Sequence, residues 1–311
     1  MALLRAVFLS VLFSSLATAA QPLLFSYFKG NGEDGLHLAW SRDGLKFTAL
    51  KEDKSFLAPR IGDTEVLMRD PCIAQGPDGT FHLVWTVGWR EPRMFGYASS
   101  RDLINWSQQR AIPAMAHEPG ARNCWAPEIF HDKASDRFLI FWSSTIPGRF
   151  PATDASGDNG YNHRVYYTTT KDFQQFAPTR LFYDGGFNVI DATMIHALGK
   201  YHLIVKDETR NPVARKNLRA CTSDSPEGPW SSASEPFTIS WVEGPSVVQI
   251  GDEYVVYFDH YARPQYYGAI KTRDFKTWED ITGQVSFPRG ARHGTVFPVS
   301  EAVLEKLLEL K

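Results

Sequence analysis

Five times along this chain a serine or threonine, followed two residues on by an aspartate, leads after a short polar stretch into an aromatic. The copies are residues 41–47 (SRDGLKF), 100–106 (SRDLINW), 170–176 (TKDFQQF), 222–230 (TSDSPEGPW) and 272–278 (TRDFKTW). Their aspartates, Asp43, Asp102, Asp172, Asp224 and Asp274, are spaced by 59, 70, 52 and 50 residues. A unit of that length built from short strands cannot bury both its faces alone, so it must stack on copies of itself in a ring. Five copies therefore predict an all-β, five-bladed propeller. The five aspartates read as turn formers, a role short polar side chains fill by bonding to nearby backbone. Blades converge on one axis, so the loops at one end share a pocket, and function is to be sought there.

The second copy shows the unit most plainly. Arg69-Asp70-Pro71-Cys72-Ile73 opens an inner strand, residues 75–79 (QGPDG) form a turn, and residues 80–86 (TFHLVWT) carry the β-branched and aromatic content of a second strand. Residues 95–99 and the segment from Trp106 supply the third and fourth. The later copies begin at Trp125-Ala126-Pro127-Glu128, at Asp191-Ala192-Thr193 and at Glu243-Gly244-Pro245. The first copy has no inner strand: residues 24–28 (LFSYF) match a second strand and 35–41 a third. Near the other end of the chain, Arg292-His293-Gly294-Thr295-Val296 has the form of the missing piece. A C-terminal strand that completes the N-terminal blade would close the ring and cover two open edges. Residues 301–311 (EAVLEKLLELK) are expected to form a helix outside the ring, with Leu304, Leu307 and Leu308 packing back.

Residues 1–20 carry one charge, Arg5, an apolar run, and Ala17-Thr18-Ala19 in the form of a small-residue cleavage site. That is the pattern of a secretory signal peptide, with an apolar part too short to span a bilayer. The expectation is thus a secreted or periplasmic protein whose residues 21–311 form a single propeller domain. Lys and Arg number 33 against 35 Asp and Glu, so no basic surface points to nucleic acid, and no later stretch suggests a membrane span. Nine tryptophans exceed what packing usually requires and suit stacking on sugar rings. Cys72, Cys124 and Cys221 are too few for a disulfide scaffold and read as small core residues, with a Cys72–Cys124 bridge as the lesser alternative.

At or beside the starts of the inner strands stand Asp70, Glu128, Asp191, Glu243 and His293. Crowded carboxylates repel one another, and proteins accept that cost mainly at functional sites. Glycoside hydrolysis needs such a pair: an acid to protonate the leaving oxygen and a carboxylate to activate water or attack directly.

The ordered set Arg69-Asp70-Pro71, Trp125-Ala126-Pro127-Glu128, Ile190-Asp191-Ala192, Val242-Glu243-Gly244-Pro245 and Arg292-His293-Gly294 resembles glycoside hydrolase family 43, the five-bladed arabinosidases and xylosidases, over essentially the whole mature chain. The resemblance implies an inverting glycosidase that acts on arabinofuranosyl or xylosyl groups of oligo- or polysaccharides. It implies Asp70 as general base, Asp191 as the residue that tunes and orients the acid, and Glu243 as general acid, its pKa raised by burial and by Asp191. His293 matches a histidine that lines the axial channel near a water-coordinated metal ion, often calcium, in several members; no cofactor is required for the chemistry. Glu128 stands where the family often has Asp, Ala192 replaces a frequent Pro, and the chain starts one blade early. Trp89 and Trp125 are candidate stacking platforms or packing residues, and Glu128 a substrate contact or a structural group. Arg69 and Arg292 would steady Asp70, touch sugar hydroxyls or pair at the surface.

Two other functions stay open at this level. A retaining fructosidase of family 32 shares the Arg-Asp-Pro but needs an Asn-Asp-Pro in the first blade and a Glu-Cys, and neither occurs here. A carbohydrate-binding propeller without turnover would keep the pocket and lose the geometry. The insert at residues 144–163, rich in Gly, Asp and Pro, is expected to rim the pocket and favour exo action. The protein is expected to be a monomer.

Overall fold

The computed structural model describes residues 21–90 and 93–310, and the expected signal peptide, residues 1–20, lies outside the described residues. The second blade is β4 (Arg69–Gln75), β5 (Phe81–Thr86), β6 (Phe95–Ser100) and β7 (Arg110–Ile112). The third is β8 (Trp125–Asp132), β9 (Arg137–Thr145), β10 (His163–Thr170) and β11 (Arg180–Tyr183). The fourth is β12 (Val189–Ala197), β13 (Lys200–Asp207) and β14 (Asn217–Ser223), and the fifth β15 (Val242–Ile250), β16 (Glu253–His260), β17 (Tyr266–Thr272) and β18 (Glu279–Asp280). All strand pairs within the blades are antiparallel, as short hairpin connections require.

The first blade closes the ring as its sequence demands. Its order is β19 (Arg292–Pro298), β1 (Leu23–Phe28), β2 (His37–Ser41) and β3 (Thr48–Ala49), with Leu24 opposite Phe297 and Ser26 opposite Thr295. The two ends of the chain therefore share one sheet. A helix, α1 (Glu301–Leu308), follows, capped by the Ser300 side chain, which accepts from the Val303 backbone N–H. Leu304 and Leu307 pack back against Phe81 and Phe297, but Leu308 faces solvent, 44 % exposed, because it falls on the outer side of the last turn.

Aromatic and aliphatic side chains fill each gap between neighbouring blades. Phe81, Leu83 and Trp85 of the second blade meet Leu24, Leu38 and Phe297 of the first, and Val84 and Tyr97 meet Ile140 and Trp142 of the third. Clusters of the same kind join the third blade to the fourth, the fourth to the fifth and the fifth to the first. Each fully buried Leu or Phe contributes about 1.5–3 kcal/mol, and no blade could bury these faces alone. All three cysteines are buried and unbridged.

Four of the five repeat aspartates do form turns. One carboxylate oxygen of Asp43, Asp102, Asp172 and Asp274 accepts from the backbone N–H groups two and three residues on, and the residue after each has positive φ. Asp224 does not: the inserted Pro-Glu-Gly-Pro changes the turn, and Asp224 pairs with Lys200 instead. The same insertion leaves the fourth blade with three strands, its outer edge satisfied by single bonds from the Ser231, Ser234 and Phe237 backbone.

Candidate active site

Hairpin register aligns the five blades residue by residue at the upper end of the axis. Arg69, Trp125, Ile190 and Glu243 pair with Thr86, Ser143, Lys206 and Asp259, and in the first blade Arg292 pairs with Phe28. One residue further along, four inner strands bulge. The bulge residues Asp70, Ala126, Asp191 and Gly244 have φ of 51, 49, 50 and 57°, and His293 holds the corresponding place in the first blade. Positive φ costs a non-glycine residue about 1–3 kcal/mol and persists where surrounding structure enforces it, often at functional sites. Gly244 has a local reason to be glycine, since a Cβ there would lie 2.4 Å from Cγ of His293.

Each paired residue on a second strand reaches across to the inner strand of the next blade. The Phe28 ring lies under the Arg69 guanidinium at 4.6 Å, and Thr86 Oγ1 accepts from Ala126 N–H at 2.7 Å. Ser143 Oγ accepts from Asp191 N–H at 3.2 Å, Lys206 Nζ donates to Glu243 Oε2 at 3.3 Å, and Arg292 Nε donates to Asp259 Oδ2 at 2.6 Å. One backbone position, repeated five times, supplies the supports of the site.

The result is a cavity of about 580 Å³ whose lining includes Asp70, Asp191 and Glu243, brought from three blades, with Arg69, Trp89, Trp125, Arg292 and His293. Asp70 Oδ2 accepts from Thr86 Oγ1 at 2.8 Å, and Oδ1 lies 3.4 Å from His293 Nδ1. Asp191 Oδ2 accepts from Gly244 N–H at 3.2 Å and lies 3.9 Å from the same histidine nitrogen. Glu243 accepts from Lys206 on one oxygen and from Arg292 Nη2, at 3.0 Å, on the other. Trp89 and Trp125 meet edge to face at 5.2 Å and continue into Tyr161, which makes one wall aromatic. Arg69 stacks between Phe28 and Trp89, and its Nη1 donates to Asn31 Oδ1.

Glu128 is not part of this cavity. Ala126 takes the bulge, so Glu128 falls two residues deeper and is buried between the inner strands, where Thr295 Oγ1 and Thr193 Oγ1 donate to it at 3.0 and 3.4 Å. The four carboxylates therefore do not occupy matching positions: Asp70 and Asp191 stand at the bulge, Glu243 one residue before it and Glu128 two after it.

The electrostatics correct one expectation. Burial pushes the Glu243 carboxyl up, but Lys206, Arg292 and His293 outweigh it and leave its pKa below the usual value. Asp191 is the raised group, at about 6, through burial, with His293 and Lys206 opposing and Glu243 and Asp70 adding to it. Burial disfavours charge on His293, yet Asp70, Asp191, Glu243 and Glu128 together hold its pKa above the ordinary histidine value. The carboxylates that crowd this histidine favour its protonated form. Among the described residues no three His, Cys, Asp or Glu side chains converge to hold a metal ion, so the donors around His293 do not fit direct coordination.

Sequence reasoning missed several residues of the site. Lys206, Glu208 and Tyr261 line it, and Asp259 stands behind Arg292. Lys216, Asp158, Asn159, Tyr161 and His163 line it too, the last four from the region of the 144–163 insert. Lys216 holds Asp158 at 2.9 Å, and Arg122 donates to the carbonyls of Asn159 and Gly160, so the insert is fastened over the pocket. The available signal was hairpin topology: the end of a second strand lies beside the start of the inner strand, and Lys206-Asp207-Glu208 ends one.

The chain matches, over residues 19–305, a family model described as a probable glycosyl hydrolase domain and related to family 43. It is 26% identical over 164 residues to an α-L-arabinofuranosidase of Bifidobacterium longum subsp. longum, which covers 45% of this chain but only 15% of that longer protein. In structure it is similar to an α-L-arabinofuranosidase from Lactobacillus brevis, with 18% identity, a TM-score of 0.56 and coverage of 76% of this chain and 80% of the other. A xylan β-1,4-xylosidase from Bacillus halodurans gives 16% identity and a TM-score of 0.52, with 71% and 42% covered. The catalytic domain of a family 62 α-L-arabinofuranosidase from Coprinopsis cinerea gives 13% and 0.53, with 76% and 74% covered. At these identities the structural likeness speaks for the fold.

Proposed function

Because the chain belongs to the glycosyl hydrolases related to family 43, and is on that account a glycosidase, we propose that it is a secreted, inverting, exo-acting enzyme that removes terminal arabinofuranosyl or xylosyl groups from plant-type glycans. The observation that carries this reading is the convergence of Asp70, Asp191 and Glu243 from three blades on one cavity with an aromatic wall. Asp70 takes a proton from water, whose oxygen attacks the anomeric carbon. The glycosidic C–O bond breaks on the opposite face, and Glu243 delivers its proton to the departing oxygen. Asp191, held by the Gly244 N–H and beside His293, sets the field in which Glu243 gains and loses that proton.

Support for the finer points comes from separate places. The fastened insert walls one side of the cavity, which favours a chain end over a chain interior. The Asn-Asp-Pro and Glu-Cys that a family 32-like retaining enzyme needs do not occur in the sequence, which favours inversion. The apolar residues 1–20 with their small-residue cleavage pattern support export.

The test is release of p-nitrophenol from the α-L-arabinofuranoside, β-D-xyloside and β-D-galactoside, with the first-formed anomer of the sugar followed by proton NMR. Hydrolysis of a pentoside with inversion is expected. Retention of configuration, or turnover of the galactoside alone, would overturn the mechanism or the substrate class respectively.

A further inference from the structure

The general acid stands between two cations, and each of them has a second carboxylate that it holds more closely. Arg292 meets Asp259 at 2.6 Å and Glu243 at 3.0 Å; Lys206 meets Glu208 at 2.7 Å and Glu243 at 3.3 Å. Asp259 follows the pattern of the fold, since it occupies the supporting position of the fifth blade. Glu208 lies just beyond β13, at the place Tyr261 takes in the fifth blade: the Glu208 N–H donates to the Asn188 carbonyl as the Tyr261 N–H does to that of Trp241. Its only ion-pair partners among the described residues are Lys206 and Lys216. Both lysines are almost wholly buried, at 2–3 % side-chain exposure.

We propose that Glu208 is a positioning residue for the acid–base reaction: by sharing Lys206 it weakens the ion pair which that cation makes with Glu243, so that Glu243 takes up a proton more readily than it would beside an unshared ammonium. The inference rests on the reading of Glu243 as general acid.

The physical argument is one of shared charge. A buried ammonium needs a carboxylate, because an unpaired buried charge is too costly to keep. Without Glu208, Lys206 would have Glu243 as its one nearby carboxylate partner, with the Tyr261 ring 4.6 Å away. It would then close on Glu243 and favour the ionised acid, which has no proton to give. The remaining groups that face Glu243 are Arg292 and His293 from β19, Asp259 from β16, Asp70 from β4, Asp191 from β12 and Tyr261 beyond β16. None of these can replace Glu208, since none forms an ion pair with Lys206. Lys216 extends the chain to Asp158 in the insert, so the same carboxylate that manages the acid also helps fasten the rim.

The experiment uses the full chain and two substrates of the accepted glycosyl group, one with an aryl and one with an alkyl leaving group. In Glu208→Gln the basic limb of the kcat/KM profile should move down by at least about one pH unit, as expected when a neighbouring cation is left uncompensated. Activity should fall about tenfold more on the alkyl glycoside than on the aryl one, because only the former depends on protonation. Glu208→Asp should restore part of both effects. In Lys206→Met the limb should move the other way, to higher pH.

A folded Glu208→Gln protein that loses activity equally on both substrates, with its basic limb unmoved, would show a merely structural role and overturn the proposal. Should Glu208→Gln fail to fold, Lys206→Met decides: an upward shift supports the proposal, and a limb that stays or falls overturns it. A Glu243→Gln enzyme with full activity on the alkyl glycoside would instead sink the assignment of the acid beneath it.

Discussion

Replacing Glu128 with Gln should make the protein more stable in mild alkali and leave it little changed in mild acid. Glu128 is buried between the inner strands, and burial raises its pKa to about 7 from an ordinary 4.5, with His293, Thr295, Cys72 and Thr193 opposing the rise. The folded state thus binds a proton more tightly at this site than the unfolded chain does. The stabilisation this gives is complete below about pH 4.5 and is lost as pH rises through about 7. A gap of roughly 2.5 pH units corresponds to on the order of 3 kcal/mol across that window. Gln has the shape of the protonated acid, accepts the Thr295 hydrogen bond through its amide oxygen, and never ionises. The other titrating groups are common to both proteins, so they largely cancel in the difference. His293 is the exception, because its proton is held partly by Glu128, and it makes the figure an upper bound. For a domain of this size the difference should reach roughly 5 °C in Tm at pH 9 and shrink towards zero at pH 5. Paired thermal melts of the two proteins across that range would measure it. A Tm difference that stays constant with pH would refute the reasoning, since it would show that Glu128 is already ionised without cost in the fold.

Asp70→Asn should lower turnover by about 10²–10⁴-fold on aryl and alkyl glycosides alike, because no other group takes the proton from water; near-normal rates on an aryl arabinofuranoside would place the base elsewhere. Glu243→Gln should spare aryl glycosides far more than alkyl ones, read from kcat on the two leaving groups. Thr86→Val removes the hydrogen bond that fixes Asp70 and should lower kcat/KM about tenfold, the weight of one hydrogen bond to a charged group. An unchanged value would show that Asp70 needs no such support. Gly244→Ala forces a Cβ against His293 at positive φ and should cost about 1–3 kcal/mol in denaturant melts, with activity reduced as the histidine shifts.

The ring and its closure were legible because they follow from period and count. Turn chemistry marked by Asp43, Asp102, Asp172 and Asp274 repeats with the blades, and a first copy without an inner strand has one geometric remedy. What escaped was local phase. The single-residue bulge at Ala126 drops Glu128 out of the pocket, and nothing in Trp-Ala-Pro-Glu distinguishes that from Arg-Asp-Pro, where the aspartate itself takes the bulge. The insertion after Asp224 cost the fourth blade its outer strand for a similar reason: an extra turn removes the residues that would pair. Lys206-Asp207-Glu208 reads as the solvated end of an apolar strand. Its burial depends on the neighbouring blade and the insert, which are remote in sequence and visible only once the ring is assembled.

The same remoteness explains why the pKa of Glu243 shifts opposite to expectation. Proximity to Asp191 alone would raise its pKa, and in the sequence Asp191 is the only partner one can infer. The fold adds Lys206 and Arg292, from the fourth and first blades, on either side. Two bare cations would leave Glu243 a permanent anion, useful for binding and useless for donating a proton. Glu208 and Asp259 change that balance, for each draws on one of the two cations that flank Glu243. A propeller suits this arrangement, since each blade sends the end of its second strand to the inner strand of the next. The charge that tunes a catalytic group therefore comes from the neighbouring blade, and it can vary without altering the strand that carries the catalytic group itself.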